Sequence, residues 1–123
     1  MSEHLGPAAV VQAINSARRA GDFDSALAYV APEALDQGRP VNRENWQRKW
    51  EHLVTAIPDI EIITEASVEN GDWVANRYTV RGTHAGDLFG KPPTGRRFEI
   101  VLMDMVRVAD GLLDEHWITA EPI

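Results

Sequence analysis

The sequence predicts an α+β fold, with helices packed on one face of an antiparallel sheet. Two observations predict it. Apolar residues of the first half recur at helical spacing, and those of the second half alternate as in strands, broken by hairpin signals. Length supplies a third: 123 residues make one domain spanning 1–123, able to bury roughly two-thirds of its unfolded surface. No repeat, linker or low-complexity stretch interrupts it.

Pro7 suits a first helical position, where its missing N–H costs nothing. Val10, Val11, Ile14 and Ala17 then form an apolar stripe, and Gly21 closes the segment. Asp22 or Asp24 can cap a second short helix holding Ala26, Leu27 and Tyr29, interrupted near Pro32. Asn42 can cap a third, running to about Ile57 before Pro58; Trp46, Trp50, Leu53 and Ile57 share its apolar face. The first half is therefore expected to be helical. Strand alternation occupies 60–69, and Asn70-Gly71 is a strong hairpin signal. Further strands are expected at Trp73–Thr83, Phe98–Val108 and Leu112–Thr119. The Gly/Pro-rich loop Gly86–Gly95 and the turn Ala109-Asp110-Gly111 separate them.

Composition narrows the function. A net charge of −7 argues against nucleic acid as a partner, because phosphate binding rests on Lys and Arg. The absence of cysteine excludes disulfides and thiolate chemistry and fits a cytoplasmic location. No apolar run of about 18 residues is present, so no membrane span is expected. Met1–Gly6 lacks the basic-then-apolar order of a signal peptide. Neither His4 nor His52 has a partner at ligand spacing, and His84, Asp87 and His116 form no recognisable metal set; no metal and no cofactor are expected. The glycines at 82, 86, 90 and 95 lie between strands, which argues against a phosphate loop.

The last two strands hold the candidate chemistry, and their register decides it. A two-residue Asp110-Gly111 turn sets Met105 opposite His116 and pairs Arg107 with Asp114. A three-residue loop with Gly111 left-handed in a bulge sets Asp104 opposite His116 instead. One residue of slip moves every side chain to the other face. In the second register a carboxylate beside imidazole fixes the tautomer and raises the pKa, whereas burial lowers it. The same pair could equally serve only to satisfy each other in a half-buried hairpin.

Three stretches in order, GDWVANR (71–77), GTHAGDLFGKPPTGRRF (82–98) and VRVADGLLDEHW (106–117), resemble the SnoaL-like polyketide cyclase family of the nuclear transport factor 2-like superfamily, over nearly the whole chain. The resemblance implies a cone: a strongly curved antiparallel sheet wrapped around helices, enclosing a deep apolar pocket, usually in a homodimer joined through the sheet's outer face. It implies that Leu102, Asp104, His116 and Ile118 line the pocket, which favours the second register. Cyclases of the family carry an acidic residue directly after the His-Trp pair, where this chain has Ile118, and Leu102 replaces a polar position. The family's polyketide hydroxylases, with an Asp and His pair, match better.

The expected catalytic pair is thus His116 as base with Asp104 orienting it. Trp46 and Trp50 would form an apolar wall, with Asn76 and Tyr78 as polar anchors, suited to a flat ring system; plain core packing would use the same residues. Phe89, with Leu88, is expected on a mobile lip over the pocket mouth, and His84 near its rim. The expected partner is a small hydrophobic molecule. Arg77, Thr79, Arg81, Glu99 and Arg107 suggest a polar dimer interface. An enzyme, a non-catalytic binding protein and a dimerisation module are the functions such a chain could serve.

Overall fold

A computed structural model describes residues 5–123; Glu3, His4 and the rest of residues 1–4 fall outside the described residues, and with them most of the reading of the N-terminal stretch. Helix α1 (Pro7–Arg19) begins on Pro7 and exposes its polar side, burying Val10, Val11 and Ile14. Gly21 follows at φ 75, the left-handed conformation that ends helices. The Asp22 carboxylate accepts the Ser25 N–H at 3.1 Å and starts α2 (Phe23–Leu27).

Here the structure departs from the all-helical expectation. Two strands, β1 (Val30–Asp36) and β2 (Arg39–Asn42), form a hairpin around Gln37 and Gly38, at φ 54 and 79. β1 shows no regular alternation of buried and exposed residues, because its pairing with β6 is interrupted between Val30 and Leu35. Pro32 and Pro40 deny two ladder donors, which confines such strands to margins or irregular pairing. Helix α3 (Arg43–Ala56) starts in a capping box. Asn42 accepts from the Asn45 backbone at 2.9 Å, and the Asn45 side chain accepts from the Asn42 backbone at 2.8 Å. Arg43 Nε donates to the Val30 carbonyl at 2.8 Å and ties this helix to β1.

Strands β3 (Glu61–Asn70), β4 (Trp73–Thr83), β5 (Arg97–Ala109) and β6 (Leu112–Ala120) complete a six-stranded sheet in the order β2-β1-β6-β5-β4-β3. Among the described residues only β1 and β6 run parallel. The β3–β4 loop is Gly71-Asp72, one step later than the Asn-Gly signal suggested, with Gly71 at φ 60. Glu65 and Asp114 are extra residues opposite continuous partners, and such bulges bend strands. The inner face packs on the helices around Val10, Val11, Ile14, Val30, Trp46, Trp50, Val74, Val106 and Leu113. Gly82 lets β4 approach the end of α3: a Cβ there would clash with Ile57 Cγ2. Among the described residues no helix is long and apolar enough to cross a membrane.

The β5–β6 hairpin adopts neither expected register. Ala109 pairs with Leu112 across a two-residue Asp110-Gly111 turn, both residues left-handed at φ 54 and 77, as a type I′ turn requires. Asp114 then bulges, so that Val106 faces His116 and Asp104 faces Ile118. The tight turn and the bulge each shift the ladder by one residue. Together they return Asp104 and His116 to the same inner face, on a diagonal instead of directly opposite. The side-chain pair expected of the tight turn also forms, with Arg107 Nη1 2.6 Å from Asp114 Oδ2.

Candidate functional site

His116 is 8% exposed and lines an inner cavity of about 110 Å³ with Trp46, Lys49, Trp50, Tyr78 and Leu102, among others. Asp104 and Ile118 line it too. The imidazole stands between two carboxylates. Its Nδ1 lies 3.0 Å from Asp36 Oδ1, and its Nε2 lies 3.4 Å from Asp104 Oδ2. The first is a hydrogen bond, and the second a longer, weaker one between the same kinds of group. An ionised carboxylate can only accept, so the shorter Asp36 contact favours a proton on Nδ1 and leaves Nε2 beside Asp104 on the cavity side of the ring.

Both carboxylates are themselves held. Lys49 Nζ lies 3.0 Å from Asp36 Oδ2. Asp104 Oδ1 accepts from Asn76 Nδ2 at 2.8 Å, and Asn76 Oδ1 in turn accepts from Ser67 Oγ at 2.6 Å. Trp46 meets the imidazole nearly edge-on, with centroids 5.6 Å apart. Burial alone would lower the His116 pKa, but its bonds to Asp104 and Asp36 outweigh that and raise it. For Asp36, burial pushes upward, yet the His116 hydrogen bond and the Lys49 charge prevail and hold its pKa below the ordinary value. Burial and the Asp104 charge push Tyr78 up to about 12, so its hydroxyl keeps its proton.

The inner cavity shares Asn15, Arg18, Leu53 and Ile62 with a neighbouring cleft of about 410 Å³ between α1, α3 and β3, edged by Arg19, Phe23 and Val54. The two together suit a small ring system better than either alone. Among the described residues the buried Trp46 Nε1 has no hydrogen-bond partner, and leaving such a donor unmade costs about 1–3 kcal/mol.

Seven sequence-predicted residues meet on the inner cavity: Trp46, Trp50, Tyr78, Leu102, Asp104, His116 and Ile118. Asn76 is buried against Asp104 and holds it. Two expectations are corrected. His84 is buried at the end of β4, its backbone bonded to Arg96 and Gly95, and it does not line the cavity; the neighbouring Ala85 and Gly86 N–H groups bond the last α3 carbonyl, Ala56. Phe89 does not cover the mouth either. The Leu88–Lys91 backbone closes a tight turn with Phe89 at φ 48, its N–H bonds His52 Nε2 at 3.0 Å, and its ring rests 4.5 Å from the His52 ring. Backbone bonding thus ties the segment to the side of α3, while the mouth lies between α1, α3 and β3.

Asp36, Lys49 and Arg18 were not anticipated. Lys49 lies three residues after Trp46 and Arg18 four after Ile14, so both continue faces already read as inward. Asp36 belongs to β1, which carries no periodic signal. Among the described residues no three His, Asp or Glu side chains are placed to hold a metal ion.

The family model for SnoaL-like polyketide cyclases matches residues 8–122. The chain belongs to this family. It is 27% identical over 110 residues to the nogalonic acid methyl ester cyclase of Streptomyces nogalater, covering 87% of this chain and 81% of that protein. The match to the aklanonic acid methyl ester cyclase of Streptomyces peucetius is 42% identical over 48 residues, spanning 39% of this chain and 33% of that cyclase. Among solved structures, the chain is similar to IdmH of Streptomyces antibioticus, a candidate polyketide cyclase. The TM-score is 0.80 at 32% identity, covering 94% and 91% of the two chains. AclR of Streptomyces galilaeus, a candidate hydroxylase, superposes with a TM-score of 0.75 at 26% identity, covering 92% and 86%. The helices and curved six-stranded sheet are those of the nuclear transport factor 2-like cone.

Proposed function

We propose that this member of the family is a cofactor-independent acid–base enzyme acting on a small polyketide-like molecule held in the cavity. The observation that carries the reading is the buried His116 between Asp36 and Asp104, facing a cavity walled by Trp46 and Trp50. Asp36 orients the ring, and Nε2 takes a proton from carbon beside a substrate carbonyl, where an enolate forms. In an intramolecular aldol closure that enolate attacks a second carbonyl, a C–C bond replaces the C–H bond, and the imidazolium returns its proton to the new alkoxide. Atoms and charge balance without a further reactant.

Ile118 stands where the resemblance places an acid. Its cross-strand partner is Asp104, so a carboxylate enters the same region from the neighbouring strand. That supports catalysis with the acid moved across the ladder. A second reading, binding without turnover, is favoured by the apolar Ile118 on the cavity wall itself. Turnover of candidate methyl-ester polyketides by wild type, H116A and D104N separates the two. Catalysis predicts a loss of about 10²–10⁴-fold for H116A. Bound but unconverted ligand in every variant would leave the binding reading.

The homodimer is also our proposal. The outer sheet face is less polar than expected: beside Arg77 and Thr79 it exposes Val68, Met103, Met105 and Trp117. Arg81 and Glu99 pair with each other within the sheet at 3.0 Å, which reduces their availability to a partner.

A further inference from the structure

Arg18 is the cationic group that the acid–base reading leaves unused. It comes from the last turn of α1, lines both the inner cavity and the outer cleft, and lies half-buried where the two join. Its guanidinium carbon lies 4.9 Å from the centre of the Trp50 ring. Among the described residues it enters no ion pair, whereas Lys49, on the same cavity, is neutralised by Asp36. Arg19 beside it is exposed and can answer the carbonyl end of α1, so the helix terminus does not account for Arg18. Burial lowers its pKa to about 10, against the pull of Tyr78 and Asp104. A partly desolvated cation that feels the Asp104 charge only from a distance, with no close ion-pair partner, is costly.

Tyr78 lines the same chamber. Asn15, one turn before Arg18, donates to the Tyr78 oxygen at 3.3 Å, so the Tyr78 hydroxyl keeps its own proton to donate elsewhere. We propose that Arg18 and Tyr78 form an anion anchor, and that the ligand is a flat apolar ring system bearing an anionic oxygen, as carboxylate or enolate, placed at the junction of cavity and cleft. The rings then lie along Trp46 and Trp50, and the charged oxygen meets guanidinium and phenol together. Arg18 stacks and donates from the same plane, as guanidinium does and ammonium does not. The proposal rests on the cavity being the binding site and deepens it by naming the charge of the ligand.

The test compares 2-naphthoate with 2-naphthamide, which share a ring system and differ in charge, by calorimetric titration into wild type, R18M, R18K and L53W. Wild type is expected to prefer the carboxylate about tenfold or more, the range of a charge-assisted bond. R18M should remove that preference while leaving amide binding in place, R18K should restore part of it, and L53W should block both by filling the shared lining. A wild-type protein that binds both equally, or an R18M protein that keeps the preference, overturns the anchor alone. Binding of both that survives L53W, or of neither to wild type, overturns the cavity reading and the anchor with it. The wild-type preference stands as a test even if R18M does not fold.

Discussion

Two carboxylates touch the His116 ring, and the closer one sets its orientation. Asp36 holds Nδ1 and thereby leaves Nε2 for chemistry. Its replacement by asparagine is expected to lower turnover about 10²-fold, the kind of loss that follows when tautomer control goes, with KM little changed. The pH profile carries the sign. With His116 as base, the rate rises as pH climbs through its raised pKa. Neutralising Asp36 removes a charge that favours the imidazolium, and leaves Lys49 unpaired nearby, so the rising limb of D36N should move to lower pH. A limb that stays in place, or moves upward, would mean Asp36 does not govern the imidazole. Alternation in β5 and β6 left two registers open, and only the family resemblance singled out Asp104 and His116 as a pair. Asp36 was not legible, because an irregular, proline-bearing strand carries no period from which to infer a side.

Elements decide where these residues meet, and they do so through small local devices. The Asp110-Gly111 turn and the Asp114 bulge are individually able to turn His116 away from Asp104; only their combination does not. Turn signals in the sequence specify a loop, but a bulge leaves no comparable mark, which is why both simple registers missed. The three helices were readable from their caps and spacing, since Pro7, Asp22 and Asn42 act within one turn of themselves. Close packing between elements is a further device. Gly82 lies against Ile57 where β4 passes the end of α3, and G82A should destabilise by about 1–3 kcal/mol through overpacking. Thermal melts of G82A, I57A and the double variant check this. The double variant should lose less than the sum of the singles, because the clash disappears with the Ile57 side chain; simple additivity would place the strain elsewhere.

For the whole molecule, one side of the sheet encloses the cavity and the other faces outward with Met103, Met105, Val68 and Trp117 exposed. A dimer through that outer face would cover them without closing the cleft, which opens between α1, α3 and β3. Sedimentation equilibrium at micromolar concentration should give a dimer, and M103K a monomer that still binds ligand; a wild-type monomer contradicts the interface. Strand alternation places Arg77, Met103 and Met105 on this one face, where the exposed methionines between the charged residues make it less polar than the charges alone suggest. The site itself is tested most directly by following the His116 ring resonances by NMR across pH in wild type and D36N. The wild-type midpoint should lie above the ordinary imidazole value of about 6.5 and fall in D36N. A midpoint at or below that value, unmoved by D36N, would contradict the placement of His116 between two carboxylates.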